Sequence, residues 1–278
     1  MRTTIKDIRS MKAAGQKITM LTAYDASMAR LFSACGVDTL LVGDSLGMVM
    51  LGYESTVPVT MAEMLHHASA VRRGAPEAFI IGDMPFGSYQ SGVRDAILNG
   101  LRFLKEAGCD AVKLEGGIEV CEVVKAMVAA GIPVMGHIGL TPQTASQLGG
   151  FKVQGKGLDA ARKLLDEALA LEQAGAFSIV IECVPSGLAE VISTTLAIPT
   201  VGIGAGVHCD GQVLVSHDLL GMFEKFQPKF VKQYANLAPL IKEGVQQFNS
   251  EVRAGTYPGD EHGFADGCDY RQLLTRKP

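Results

Sequence analysis

The chain has 278 residues, of which 47% are hydrophobic and 19% charged, with a formal net charge of −4. This excludes a disordered chain, and the length buries a large core without disulfide or metal staples. The acidic balance argues against a dedicated nucleic-acid binder, which needs a basic face to displace counterions from phosphates.

The first residues, Met1 to Lys6, form no apolar export segment, and no later run reaches the ~18 uninterrupted apolar residues of a membrane span. From Ile18 onward short apolar runs recur, at 18–22, 39–42, 78–81, 111–114, 134–135, 178–181 and 200–203. Runs that are apolar on both sides suit strands covered on both faces, hence a parallel sheet. A small pattern precedes five of them: Cys35-Gly36-Val37-Asp38, Arg73-Gly74-Ala75-Pro76, Ala107-Gly108-Cys109-Asp110, Ala130-Gly131-Ile132-Pro133 and Ala174-Gly175-Ala176-Phe177. In each, the glycine is placed to end a helix in the left-handed conformation.

The segments between these runs have helical spacing. One helix starts near Thr60 and Met61, a second carries Val93, Ile97, Leu101 and Leu104, and a third follows Asp159 with Leu164, Leu165, Ala168 and Leu171. The weakest strand, 213–216, brings the number to about eight. Eight such units predict an α/β chain of the (β/α)8 barrel type, with a doubly wound open sheet as the rival. After Pro228 further helices are expected at 230–235 and 240–252. Residues 1–262 read as one barrel domain with C-terminal helices, and 263–278 as a tail.

None of the six cysteines (Cys35, Cys109, Cys121, Cys183, Cys209 and Cys268) forms a C-x-x-C pair, which leaves no zinc-ribbon or thioredoxin pattern. Several lie inside apolar stretches and read as small buried hydrophobes, in a reduced, cytoplasmic protein. The loop Gly202-Ile203-Gly204-Ala205-Gly206 lacks the G-x-G-x-x-G spacing of a dinucleotide site and comes late in the chain. The glycine-rich stretch 149–157, with Lys152 and Lys156, is either a lid over the barrel rim or a surface excursion. His66 and His67 are adjacent on a helix and so diverge, a poor metal pair.

The informative feature is what ends each strand. Asp44 and Ser45 follow the second run, Asp83 the third, Glu115 the fourth and Glu182 the sixth, while the fifth delivers His137. A single acid after a strand can simply cap the next helix. Four on separate strands instead converge on the carboxyl-end rim, where barrel enzymes work. Strand alternation puts Lys113 and Glu115 on the face opposite Val112 and Leu114, and so in the barrel mouth. Clustered carboxylates repel unless a cation intervenes, and hard oxygen ligands favour Mg²⁺ over zinc. Glu115 should keep Lys113 protonated, which disfavours Schiff-base chemistry.

These residues fall in motifs that closely resemble the ketopantoate hydroxymethyltransferase family: Leu41-Val42-Gly43-Asp44-Ser45-Leu46-Gly47-Met48, Val112-Lys113-Leu114-Glu115-Gly116-Gly117, Gly136-His137-Ile138-Gly139-Leu140-Thr141-Pro142-Gln143, Lys152-Val153-Gln154-Gly155 and Ile181-Glu182-Cys183-Val184-Pro185. The resemblance runs from about residue 19 to 262. It implies a (β/α)8 TIM barrel of the phosphoenolpyruvate/pyruvate type. It also implies transfer of a hydroxymethyl group from 5,10-methylenetetrahydrofolate to 3-methyl-2-oxobutanoate, giving 2-dehydropantoate in pantothenate and coenzyme A biosynthesis. By the same resemblance Asp44 and Asp83 are Mg²⁺ ligands and substrate-side residues. Glu115 is a third metal-associated acid, directly or through water, Ser45 and Lys113 contact substrate, and Glu182 is the base. His137 lies in a matching motif, on the substrate side of the rim. The family also implies a homo-oligomer, often a decamer. Two alternatives stand beside this reading: another Mg²⁺-dependent α-keto acid lyase or aldolase, and a metabolite-binding barrel without turnover.

Overall fold

The computed structural model describes residues 2–147 and 149–275. In chain order the elements are α1 (Ile5–Ala13), β1 (Ile18–Thr22), α2 (Ala26–Ala34), β2 (Thr39–Val42), α3 (Leu46–Val49), α4 (Met61–Gly74), β3 (Phe79–Asp83), α5 (Val93–Lys105) and β4 (Ala111–Lys113). There follow α6 (Cys121–Ala129), β5 (Val134–Gly139), α7 (Leu158–Gln173), β6 (Ser178–Glu182), α8 (Ser186–Thr195), β7 (Thr200–Ile203), β8 (Gly211–Leu214), α9 (Ser216–Leu219) and α10 (Leu237–Ala254). The eight strands pair in parallel and in sequence order, and β8 closes onto β1, so the open-sheet alternative is excluded.

Local chemistry explains the helix ends. Thr4 with Asp7, and Thr60 with Glu63, form reciprocal capping boxes at α1 and α4, and the Asp25 carboxylate accepts two backbone N–H groups at the start of α2. Gly36, Gly108, Gly131 and Gly175 adopt the left-handed conformation expected of them. Gly74 does not. It is the last residue of α4, and a Cβ there would lie 2.1 Å from the Ala26 carbonyl oxygen, so this glycine admits close contact between α4 and α2.

The apolar side chains divide into two bodies. Inside the barrel Ile18, Met20, Leu41, Phe79, Ile81 and Met135 are among the packed residues, and Ile8 of α1 joins them. The larger body fills the space between strands and helices and includes Val112 and Leu114. The β4 alternation is therefore as expected, with Val112 and Leu114 on the helix side.

Two further expectations need correction. β8 begins two residues before the expected 213–216, because Gly211 pairs with Ile18 to close the barrel and a Cβ at Gly211 would sit 2.5 Å from the Ile18 oxygen. Residues 230–235 are not helical: Phe230 packs against the barrel interior, and the N–H groups of Tyr234 and Ala235 bond to the Leu219 oxygen of α9. The expected helix at 240–252 lies within α10, whose only buried residue is Ala238. Beyond it come short 3₁₀ turns at Asp260–His262 and Tyr270–Thr275, and the last three residues of the expected tail lie outside the described residues. Among the described residues no helix is long and apolar enough to cross a membrane.

Candidate active site

The carboxyl ends of the strands deliver the expected side chains to one place. Asp44, Ser45, Asp83, Lys113, Glu115, His137 and Glu182 all line a single cavity of about 360 Å³ at the barrel mouth. Asp44, Asp83, Lys113, Glu115 and His137 are buried, and Glu182 keeps a small exposed edge. Thr22, Leu41, Val180, Ile203 and Val213 supply much of the strand wall of the cavity. His66 and Lys156 do not line it, whereas Lys152 does; His67 lies 2.7 Å through Nδ1 from the Tyr24 carbonyl oxygen, a packing role.

Opposite charges alternate across the floor. Lys113 Nζ donates to Asp83 Oδ1 at 2.7 Å and stands 3.9 Å from Glu115 Oε1. Its main partner is thus Asp83, not the Glu115 neighbour that sequence suggests. His137 stands between two acids, Nδ1 3.3 Å from Glu115 Oε1 and Nε2 3.2 Å from Glu182 Oε2. Neither contact has hydrogen-bond directionality, so both ring nitrogens and Glu115 Oε1 are buried polar atoms held by charge alone.

Burial sets the protonation pattern, and neighbours modify it. Burial, then repulsion from Asp83 and Glu115, holds the Asp44 carboxyl well above the usual range. Asp83 is also raised by burial, which Lys113 only partly offsets. Burial alone would raise Glu115, but His137, Lys113 and the Gln143 N–H reverse it and leave its pKa below normal. For Lys113, burial disfavours the ammonium, yet Asp83, Glu115 and Asp44 outweigh it and push the pKa upward. The lysine is protonated, which removes the nucleophile that Schiff-base chemistry needs. His137 is pushed up to about 9, because its contacts with Glu115 and Glu182 overcome burial and the nearby Lys113.

Sequence reasoning gave no role to Gln143 or Tyr89. Gln143 Nε2 donates to Asp44 Oδ2 and to the Met84 oxygen, both at 2.9 Å, and its backbone N–H donates to Glu115 Oε2 at 3.0 Å. Tyr89 Oη lies 2.8 Å from Gln143 Oε1 and accepts the Glu115 N–H at 3.1 Å. One neutral residue thus clasps two rim acids from separate strands, Asp44 through its side-chain amide and Glu115 through its backbone N–H. Gln143 ends the motif at 136–143, but neither its composition nor its spacing marks such a role. Ser45 is held from behind, its Oγ 2.9 Å from Tyr24 Oη. Cys183, directly after Glu182, has φ 49°, the only non-glycine residue with positive φ among the described residues. Its N–H bonds to the Ile203 oxygen and its oxygen accepts the Gln154 N–H, both at 2.9 Å, which ties the Glu182 strand end to the loop carrying Lys152. All six cysteines are free thiols.

The donor chemistry fits a hard cation. Asp44 and Asp83 are close enough that the Asp44 N–H reaches Asp83 Oδ2 at 3.3 Å, and both carboxyls are destabilised as anions. A divalent ion relieves that penalty. Among the described residues no three His, Cys, Asp or Glu side chains already converge as a ligand set. Mg²⁺ is ordinarily held by one or two carboxylates with substrate oxygens and waters, so two acids suffice.

Comparison with known proteins identifies the family. Residues 2–260 match the family model described as ketopantoate hydroxymethyltransferase. A curated protein of Desulfotalea psychrophila (strain LSv54 / DSM 12343), named 3-methyl-2-oxobutanoate hydroxymethyltransferase, is 66% identical over 275 residues, covering 99% of each chain. One of the same name from Syntrophus aciditrophicus (strain SB) is 60% identical over 261 residues, covering 94% of this chain and 96% of the relative. Among solved structures, a phosphoenolpyruvate phosphomutase from Streptomyces platensis subsp. rosaceus has a TM-score of 0.63 at 16% identity, covering 95% of this chain and 92% of that one. A phosphonopyruvate hydrolase solved with oxalate and Mg²⁺ has a TM-score of 0.60 at 13% identity, covering 98% and 94%. At such identities these two establish the barrel alone. The length and identity of the sequence matches go further: this chain belongs to the ketopantoate hydroxymethyltransferase family.

Proposed function

We propose that this chain transfers a hydroxymethyl group from 5,10-methylenetetrahydrofolate to 3-methyl-2-oxobutanoate, forming 2-dehydropantoate. The observation that carries this reading is the buried floor of alternating acids, ammonium and imidazole in a chain that matches the family almost end to end. Asp44 and Asp83 would hold Mg²⁺, with Glu115 contributing through water because its oxygens already face Gln143, Lys113 and His137. Bound there, the ion would supply Lewis-acid polarisation of the keto acid.

The protein's own groups do the rest. Lys113 and Ser45 orient the carboxylate and keto group, and the Lys113 ammonium meets the negative charge that develops on the keto oxygen. Glu182 takes the C3 proton. His137, charged and 3.2 Å from Glu182, holds that carboxylate in place. Apolar residues of the cavity wall, among them Val180 and Ile203, accept the two methyl groups of the substrate. Water releases the donor's methylene at the formaldehyde level, the two C–N bonds breaking and the water protons passing to the nitrogens of tetrahydrofolate. The C3 carbanion, stabilised as the enolate, adds to that carbonyl carbon, and the proton held by Glu182 passes to the new hydroxyl oxygen. The reading includes a homo-oligomer in a reducing cytoplasm.

Glu182→Gln is the test. Exchange of the C3 proton with deuterated solvent should fall by about 100-fold or more, with keto-acid binding by calorimetry retained. Undiminished exchange would assign the base elsewhere. Loss of binding as well would make Glu182 a substrate contact.

A further inference from the structure

Beyond the acidic floor the cavity continues between two lips that the keto-acid chemistry does not use. One is the loop carrying Phe151 and Lys152; the other is the stretch after α9 with Phe223, Phe226, Lys229 and Phe230. The aromatic rings run from inside to outside. Phe230 packs on the barrel-interior cluster, Phe223 is half-buried, and Phe151 and Phe226 are 62% and 67% exposed. Exposed phenyl rings on both lips of one opening leave apolar faces without partners.

The charge on the lips is the reverse of that on the floor. Lys152 and Lys229 line the outer cavity and Asp218 is the one acid with them. Neither lysine has an ion-pair partner among the described residues, whereas Lys163 and Lys242 elsewhere are paired with Glu167 and Glu224. A cavity with an acidic floor, aromatic walls and basic lips is matched to a flat, uncharged heteroaromatic ring joined to an anionic tail. It also fixes the direction of entry. The keto acid occupies the floor and the unpaired lysines stand at the lips, so the ring goes inward and the tail outward.

We infer that the two lips form the subsite of the one-carbon donor, Phe223, Phe226 and Phe151 stacking on the pterin ring while Lys152 and Lys229 meet the glutamyl carboxylates. This rests on the proposed hydroxymethyl transfer and adds the residues that select its second substrate.

Calorimetric titration of tetrahydrofolate, and of a polyglutamyl form, into the full-length protein tests the assignment without turnover. Lys152→Ala or Lys229→Ala should each weaken binding about threefold, and the double variant about tenfold, with the larger loss for the polyglutamyl form. Phe226→Ala should weaken both forms alike, because it touches the ring and not the tail. In steady-state assays the KM for the donor should rise in parallel, while the KM for the keto acid and the donor-free C3 exchange report an intact floor. Unchanged donor affinity in the double variant, with wild-type C3 exchange, would overturn the subsite. So would a change in native mass without a change in donor binding, which would make the lips a contact between chains. Wild-type protein that exchanges C3 but never consumes the folate donor would instead overturn the proposed reaction itself.

Discussion

Acids at the two ends of the barrel face different fates, decided by what their oxygens touch. At the amino-terminal ends of the strands the carboxylates bond to backbone. Asp38 accepts the Thr19 N–H, Asp110 the Ile80 N–H and Asp210 the Thr200 N–H, each at 2.8 Å. Asp110 also pairs at 2.5 Å with Arg72 and with Arg2. At the carboxyl ends Asp44, Asp83 and Glu115 face one another. Asp110→Ala should therefore cost about 2–3 kcal/mol in urea unfolding, with turnover of the folded enzyme near normal. Asp44→Asn should do the opposite: it removes a buried, repelled charge, keeps an acceptor for Gln143, and should leave stability unchanged or raised by about 1 kcal/mol while activity falls at least about 100-fold. An active Asp44→Asn enzyme would refute the assignment. Asp218 allows a pH test. Burial pushes its carboxyl up to about 6 from 3.8, so the folded state binds the proton more tightly than the unfolded chain does. Stability conferred by this site is then present at pH 4 and lost as pH rises through 6. Asp218→Asn should unfold about 1 kcal/mol later than wild type at pH 8 and no later at pH 4, the half-exposed position limiting the gain. An equal gain at both pH values would assign the effect to packing.

At the level of elements, sequence reveals what repeats and misses what is made by contact. Strand runs, the acids that end them and the alternation of Lys113 with Leu114 follow from chemistry local to each segment. Gln143 could not be found that way, because its role exists only once Asp44, Met84, Tyr89 and Glu115 have been brought around it from other strands and loops. The expected helix at 230–235 failed for a similar reason: its apolar residues serve a barrel mouth and its N–H groups serve α9, partners that lie outside the segment. The glycine pattern makes the distinction measurable. Gly131 has φ 85° and open space around a Cβ, whereas Gly74 has ordinary helical backbone and the Ala26 carbonyl against it. Asparagine tolerates the left-handed region, so Gly131→Asn should change stability by less than about 1 kcal/mol. Gly74→Asn should cost about 3 kcal/mol, because α4 must move off α2. Equal losses in thermal or urea unfolding would mean that the two glycines serve the same purpose.

On the scale of the whole molecule, the barrel finishes its own core but α10 does not finish its packing. Leu240, Ile241, Val245, Phe248 and Val252 are all about half exposed or more, on an 18-residue helix with one buried residue. Their spacing puts Leu240 or Ile241, Val245, Phe248 and Val252 along one side, a stripe long enough to bury several side chains against a matching surface. Hydrophobic burial of such a stripe contributes about 1.5–3 kcal/mol per large side chain, which an isolated chain forgoes. The homo-oligomer in the proposed reading would supply the cover: a second copy would bring the same stripe, and a two-fold contact would bury both at once. Light scattering should then give a native mass that is a multiple of 29.4 kDa at micromolar concentration. Replacing Val245 and Phe248 together by Glu should lower that mass. The far-ultraviolet circular dichroism should keep its barrel signature, because neither residue packs in the core. A wild-type monomer would remove the stripe from the interface. An unchanged oligomer in the double variant would show that the copies meet on another face, and that α10 is covered by something other than its own kind.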